Sequence, residues 1–229
     1  MSLQPHDFWQ HLEAPGTHET APGTLYQNAF PAVLPDGRQL LLPIRALPAG
    51  GAVASMIVNQ ASFAVEDALA DVMADQWRVI DPEVVIGVPT LGLPLAQAVA
   101  RRLGHSRMVA LGTSRKFWYL DDLSEPMSSI TSPGKGKNVY LDPRMLPLLE
   151  GRRVLLVDDV VSTGTSLAAV LRLLDKAGIV PAGISVAMEQ GDRWRTVLPR
   201  PDLVQGAIRS PLLAKVGEGY VEAPVDQHP

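Results

Sequence analysis

Two adjacent carboxylates, Asp158 and Asp159, stand where an apolar run meets a run of small polar residues. Val154-Leu155-Leu156-Val157 precedes them, and Val160-Val161 separates them from Ser162-Thr163-Gly164-Thr165-Ser166. The apolar run reads as a buried strand, and the residues after the polar turn read as a helix through Ala177, stopped by Gly178. A turn of this kind opening a helix suits a phosphate. Successive backbone N–H groups point at the anion, and the helix dipole favours its charge. The hydroxyls of Ser162, Thr163, Thr165 and Ser166 add donors, while Gly164 permits a close backbone approach. The acid pair would repel a bare phosphate, but it can accept hydrogen bonds from ribose hydroxyls or attract a hydrated magnesium ion. Together the two features fit a phosphorylated sugar. A buried strand with a solvated turn explains the apolar run, but neither the acid pair nor the loop composition.

Other chemistries fit less well. A P-loop needs a Lys after its glycine and a longer spacing, whereas Thr165 follows Gly164 here. Receiver domains carry paired acids near their N-terminus, and this pair comes after at least two earlier strands. Cysteine is absent, which excludes disulfides, iron–sulfur clusters, thiolate zinc sites and cysteine nucleophiles. His6, His11 and His18 lack zinc spacing and read as solvated. A net charge of -4 gives no support to a nucleic-acid or anionic-membrane partner. No apolar run reaches the roughly 18 residues needed to span a bilayer, and the first residues lack the regions of a signal peptide. With 46% hydrophobic and 19% charged residues, the expectation is a soluble, cytoplasmic protein with neither nucleic acid nor membrane as partner.

The elements that must position the acid pair read as alternating strand and helix. Residues 1–23 form an irregular N-terminal arm, loosely docked. From 24 to 229 a single domain is expected, with a core over about 52–188 and flanking segments at about 24–50 and 189–229. Two apolar runs around Pro35-Asp36-Gly37 predict a β-hairpin within Tyr26–Pro43. Ser62 can cap a helix through Trp77, with Phe63, Leu69, Val72, Met73 and Trp77 near one face. Val84 to Val88 reads as a strand, Leu93 to Leu103 as a helix, and Met108 to Leu111 as a second strand. Residues 112–138 show no clear period, and such stretches in compact domains are functional or disordered. Val139-Tyr140-Leu141 resumes a strand, Pro143 to Leu149 reads as a short helix, and Ile184 to Met188 reads as the last core strand. The alternation predicts an α/β domain with a mainly parallel central sheet flanked by helices. In such sheets ligands sit beyond the carboxyl ends of the strands.

The stretch VLLVDDVVSTGTS, Val154 to Ser166, resembles the phosphoribosyl pyrophosphate signature of the type I phosphoribosyltransferases, in its apolar residues, acids and small-residue loop. Two further elements follow the same family order across residues 84 to 188. Pro89-Thr90-Leu91-Gly92 stands where the family has its pyrophosphate loop, which often holds a cis peptide; Thr90–Leu91 is the matching bond. Several members carry a basic residue where this chain has Leu91. Ser114-Arg115-Lys116 resembles the start of the family's flexible catalytic loop, with Lys135 and Lys137 near its other end.

The resemblance implies a type I phosphoribosyltransferase fold with a small hood over the base. It implies a pentosyltransferase using phosphoribosyl pyrophosphate and Mg2+. Asp158 and Asp159 would hold the ribose hydroxyls, directly or through magnesium and its water. Ser162, Thr163, Gly164, Thr165 and Ser166 would hold the 5′-phosphate. Thr90, Leu91 and Gly92, with Arg115 or Lys116, would hold the pyrophosphate. A homodimer follows from the same resemblance. The acceptor is a nitrogenous base, a purine as in purine salvage first and orotate second, with Phe30, Trp118 and Trp194 as candidates to stack on it. Glu189 to Arg193 resembles the start of the hood in some purine-using members. The alternative is a sensor of the same fold that binds phosphoribosyl pyrophosphate or a nucleotide without turning it over.

Overall fold

A computed structural model describes residues 3–48, 50–129 and 132–224, the side chains of 128–137 excepted. The predicted hairpin is present: β1 (Ala29–Val33) pairs antiparallel with β2 (Gln39–Ala46), and β3 (Ala52–Ala54) follows. Ser62 caps α1 (Phe63–Trp77), its hydroxyl accepting from the Val65 amide at 3.3 Å. Next come β4 (Val84–Gly87), α2 (Gly92–Arg102) and a short β5 (Val109–Ala110). The stretch without sequence period contains an antiparallel ribbon, β6 (Ser124–Ser129) and β7 (Ser132–Tyr140). Then follow β8 (Val154–Val161), α3 (Thr165–Lys176), β9 (Gly183–Gln190) and a one-turn α4 (Trp194–Val197). The chain closes with β10 (Val204–Ser210), β11 (Leu212–Val216) and β12 (Gly219–Glu222).

Among the described residues the strands form two larger sheets and the ribbon. The core sheet has the order β10-β9-β8-β4-β5, and every pairing in it is parallel. Its inner strands are apolar almost without interruption because both faces are covered. Leu155 and Val157 pack with α1 and α2 on one side, whereas Val154 and Leu156 pack with α3 on the other. The second sheet, β1-β2-β3-β11-β12, is antiparallel and joins chain segments from either end of the sequence. It forms the hood. This is the α/β architecture expected of the type I phosphoribosyltransferase fold.

Several elements differ from expectation for definable reasons. Ile184–Met188 is not the last core strand, because β10 adds to the sheet beyond it, held by the side chain of Glu189. Val139 and Tyr140 belong to the ribbon rather than the core sheet; Tyr140 exchanges backbone bonds with Gly112 at 2.8 and 3.0 Å. Phe63 is 84% exposed at the first position of α1, so it does not share the buried face of Leu69, Met73 and Trp77. The first 23 residues contribute Phe8 and Trp9 to the core, and the Trp9 indole donates to the Ser55 carbonyl at 3.1 Å.

The contact between α1 and β9 is close enough to make a prediction. A Cβ added at Gly183 would lie 2.2 Å from the buried ring of Trp77. Gly183→Ala is therefore expected to destabilise the fold by about 1–3 kcal/mol, read as a lower urea midpoint with an unchanged slope. An unchanged midpoint would mean that the ring moves aside freely.

Candidate active site

A cavity of about 1110 Å³ lies between the carboxyl ends of β4, β8 and β9 and the hood. It is lined from the core by Thr90, Leu91, Asp158, Asp159, Ser162, Thr163, Gly164 and Ser166, so the acid pair, its loop and the loop after β4 share one space. Gly92 and Thr165, also expected at the site, do not line it. The position is where an open α/β sheet binds ligands.

The acid pair lies within β8, which continues to Val161 rather than ending before it. Asp158 is buried, its Oδ1 accepting from the Asp159 amide at 2.9 Å. Its backbone presses against the start of α2: a Cβ on Gly92 would stand 2.8 Å from both Cα and Oδ1 of Asp158. Burial pushes the Asp158 carboxyl well above the ordinary carboxylate range, and the charge of Asp159 pushes it further. Burial also raises Asp159, against hydrogen bonds from Asp158 and the Val160 amide that lower it. Both shifts oppose a bare pair of charges and would be relieved by a cation or by donors from a bound ligand. Among the described residues no group of three or more His, Asp and Glu gathers to cage a metal. Magnesium is commonly held by one or two carboxylates, with substrate oxygens and waters completing its shell. The acid pair fits that requirement.

The small-residue loop rests on a rigid seat. Gly164 has φ +80, a backbone that favours glycine, and a Cβ there would meet Trp194 at 3.1 Å. Trp194 is fully buried, donates from its indole to the Gly191 carbonyl at 3.0 Å, and carries the Arg195 guanidinium 4.2 Å above its ring. Arg195 is fixed in turn by Glu189 and Asp192. The helix that begins here, α3, has no side-chain hydrogen bond at its Gly164 N-cap, and a helix start is the end that favours an anion. Thr163 and Thr165 share a hydroxyl hydrogen bond of 3.0 Å beside it.

The loop before α2 also starts a helix without a side-chain cap. Its cis peptide lies between Pro89 and Thr90, one residue before the expected Thr90–Leu91 bond. Leu91 already has helical backbone angles, φ -78 and ψ -22, as the first turn of α2 requires.

Other expected site residues lie elsewhere. Arg115 and Lys116 do not line this chain's cavity; Arg115 pairs with Asp121 at 2.6 Å, and from that segment Thr113 and Met127 reach the wall. Lys135 and Lys137 fall in β7, and their side chains lie outside the described residues. None of the three aromatic candidates faces the cavity. Phe30 is buried edge-on against Tyr26, and Trp194 is the seat of the loop. Trp118 donates to Asp142 at 3.3 Å under the Arg144 guanidinium, and that arginine holds the Asp142 carboxyl down at about 2. Glu189 is spent on Gly206, Arg195 and Arg209, whereas its neighbour Gln190 lines the cavity and donates to the Ala54 carbonyl at 2.8 Å. The hood side adds Arg45, Val53, Leu212 and Lys215, which no sequence motif marked.

The parallel core, the hood and the loops gathered at the strand ends define an α/β fold with a candidate site at the carboxyl edge of its sheet. Residues 54–200 match the family model of the phosphoribosyl transferase domain, and the chain belongs to that family. It is similar to an orotate phosphoribosyltransferase of Halorhodospira halophila, 28% identical over 65% of this chain and 62% of the relative. A hypoxanthine/guanine phosphoribosyltransferase of Methanococcus voltae is 32% identical over 55% of this chain and 64% of its own. The chain thus spans less than two thirds of each of these relatives. Among solved structures, an adenine phosphoribosyltransferase of Giardia lamblia in complex with 9-deazaadenine superposes with a TM-score of 0.54. It is 25% identical and covers 64% of this chain and 80% of its own.

The raised Asp158 carboxyl has a consequence for stability. Its folded value lies above the ordinary 3.8, so folding favours the protonated form. That contribution is complete below the ordinary value and is lost as pH rises through the folded one. Asp158→Asn is therefore expected to melt higher than the parent at pH 7, the gain shrinking to nothing as pH falls below 3.8. Thermal melts of both proteins across this range check it; a variant that melts lower at neutral pH would contradict the burial of an uncompensated charge.

Proposed function

We propose that the protein transfers the 5-phosphoribosyl group of phosphoribosyl pyrophosphate to a ring nitrogen of a base and releases pyrophosphate. The observation that carries this reading is the seating of the Ser162–Ser166 loop. It opens the uncapped α3 directly after the buried acid pair, in one cavity with the loop after β4. The loop and α3 amides hold the 5′-phosphate. Asp159, the more open of the pair, faces the ribose hydroxyls, and Asp158 fixes its backbone. The amides around Thr90 and Leu91 hold the pyrophosphate. Bound magnesium would supply positive charge to the diphosphate oxygens and to the acid pair. The bond from C1 of the ribose to the diphosphate oxygen breaks, the bond from C1 to the base nitrogen forms, and the nitrogen's proton leaves to solvent. Charge stabilisation and positioning supply the rate.

Arg115 and Lys116 lie outside this cavity, and we assign them to the pyrophosphate of a neighbouring copy in a homodimer. Support for the acceptor is broader: the relatives are named for orotate and for hypoxanthine and guanine, and the cavity has room for either class. The candidates for stacking on a planar base, Phe30, Trp118 and Trp194, stand elsewhere, and the resemblance of Glu189 to Arg193 to the hood of purine-using members is what supports a purine.

The reading is tested by pyrophosphate release from phosphoribosyl pyrophosphate and Mg2+ with a panel of purines and pyrimidines. Release with a subset of bases is expected, falling on the order of 10²-fold or more in Asp159→Asn. Binding of phosphoribosyl pyrophosphate without release across the panel would instead favour the non-catalytic sensor.

A further inference from the structure

A second cavity, of about 330 Å³, lies at the opposite edge of the core sheet, where β4 and β5 begin. His105, Ser106, Arg107 and Arg152 line it, and among the described residues Glu83 is the carboxylate that joins them. That acid is engaged on both oxygens. Its Oε1 accepts from Arg152 at 2.8 Å, and its Oε2 accepts from the Arg153 amide at 3.0 Å, beside the Arg153 guanidinium at 3.4 Å. Arg107 has no such partner. Among the described residues it meets no carboxylate, and its Nη2 donates to the Met145 sulfur at 3.5 Å. A thioether is a weak acceptor. The imidazole of His105 is held by no hydrogen bond among the described residues, and its Nε2 is closed off from water. Buried polar atoms without a partner are rare and costly. A turn of the ring toward a ligand in the cavity relieves this one.

Strand alternation sets the arginines on one side of the sheet. Ile86 stands opposite Val109 of β5, and Val84 opposite Val154 of β8. These four residues belong to one apolar cluster, against which Met145 and Leu148 pack. Arg107, two residues before Val109, points to that same face, in keeping with its contact to Met145. Arg152 stands two residues before Val154, on the other flank of β4, where its bond to Glu83 holds it. Neighbouring strands lie about 4.8 Å apart, which sets the two arginine backbones about 10 Å apart across β4. Two arginine side chains close that gap on one ion, and their planar forks match phosphate oxygens. The rest of the wall is aliphatic, with Val84, Met108, Val109, Pro147 and Leu148. The volume stands at the lower end of the range for small-molecule sites and exceeds what one ion fills.

We infer that this cavity binds a phosphate group, carried in the simplest case by a small phosphate monoester. Arg107 and Arg152 take the phosphate oxygens, and His105 and Ser106 add donors. The organic part lies on the aliphatic wall. The four residues of β4 separate this site from the loop at Pro89–Gly92, and α2 runs from that loop to just before His105. No residue lines both cavities, so the inference stands apart from the transfer reading.

Backbone amide NMR of the isotope-labelled full chain separates the two cavities in one titration. Inorganic phosphate, and separately glycerol 3-phosphate, should shift the Ser106, Arg107 and Met108 amides to saturation at constant ionic strength. Shifts at Gly164 and Thr165 report binding in the large cavity instead. Arg107→Gln should weaken binding at the second site roughly 10- to 100-fold, the loss expected for hydrogen bonds between charged groups, with the response of Gly164 and Thr165 unchanged. Arg107→Lys, which keeps the charge, should recover part of that affinity. Tighter binding of the ester assigns the site to a monoester, and equal binding assigns it to free phosphate. No saturable shift at residues 106–108, or one that Arg107→Gln leaves unaltered, would overturn the inference whatever happens at Gly164.

Discussion

The approach of Gly92 to Asp158 is the contact on which the site depends. A side chain at Gly92 would collide with both the backbone and the carboxylate of Asp158. Only without one can α2 begin hard against β8. That approach brings the loop after β4 beside the acid pair, and parallel pairing of β4 with β8 sets the two loops at the same sheet edge. It also removes Asp158 from water, which is why its carboxyl resists ionisation. Close packing and a raised carboxyl are thus two results of one contact.

Around that contact the molecule divides its work between two sheets. The core fixes the Ser162–Ser166 loop with short, rigid elements: Gly164 on Trp194, Trp194 under Arg195, and Arg195 on Glu189. Glu189 also holds β10 through Gly206 and Arg209, so one buried carboxylate ties the edge of the core sheet to the seat of the loop. The hood, drawn from both ends of the chain, supplies the opposite wall. Its strands share one apolar cluster with the core, Leu40, Leu42, Ala52, Ala54 and Leu213 joining Met188, Ala207 and Ile208, and Gln190 donates to Ala54.

How much of this was legible in the sequence follows from the range of the interactions involved. The acid pair, its loop, the cap at Ser62 and the hairpin are written in neighbouring residues, and each lies where local patterning put it. The family resemblance extended that reading to the pyrophosphate loop, off by one residue at the cis bond. What depends on distant pairing was not legible. Residues 124–129 and 132–140 form a ribbon although polar and glycine-containing, because each strand supplies the other's backbone partners. β10 joins the core through Glu189, a residue that locally resembled the start of the hood. Trp194 reads as a candidate to stack on the base, yet it is buried against Gly164, thirty positions earlier in the chain. Arg45 and Lys215 carry no motif at all; they line one cavity with the acid pair only because β2 and β11 share a sheet with β3 between them.

The most direct measurement of the central claim is calorimetric titration with phosphoribosyl pyrophosphate, with and without Mg2+, on the parent protein and the double variant Asp158→Asn with Asp159→Asn. If the acid pair holds the sugar end of this ligand, the parent binds it with magnesium and the double variant, folded by circular dichroism, does not. Equal binding by parent and double variant, or none by the parent, would contradict the placement of the ligand on this site.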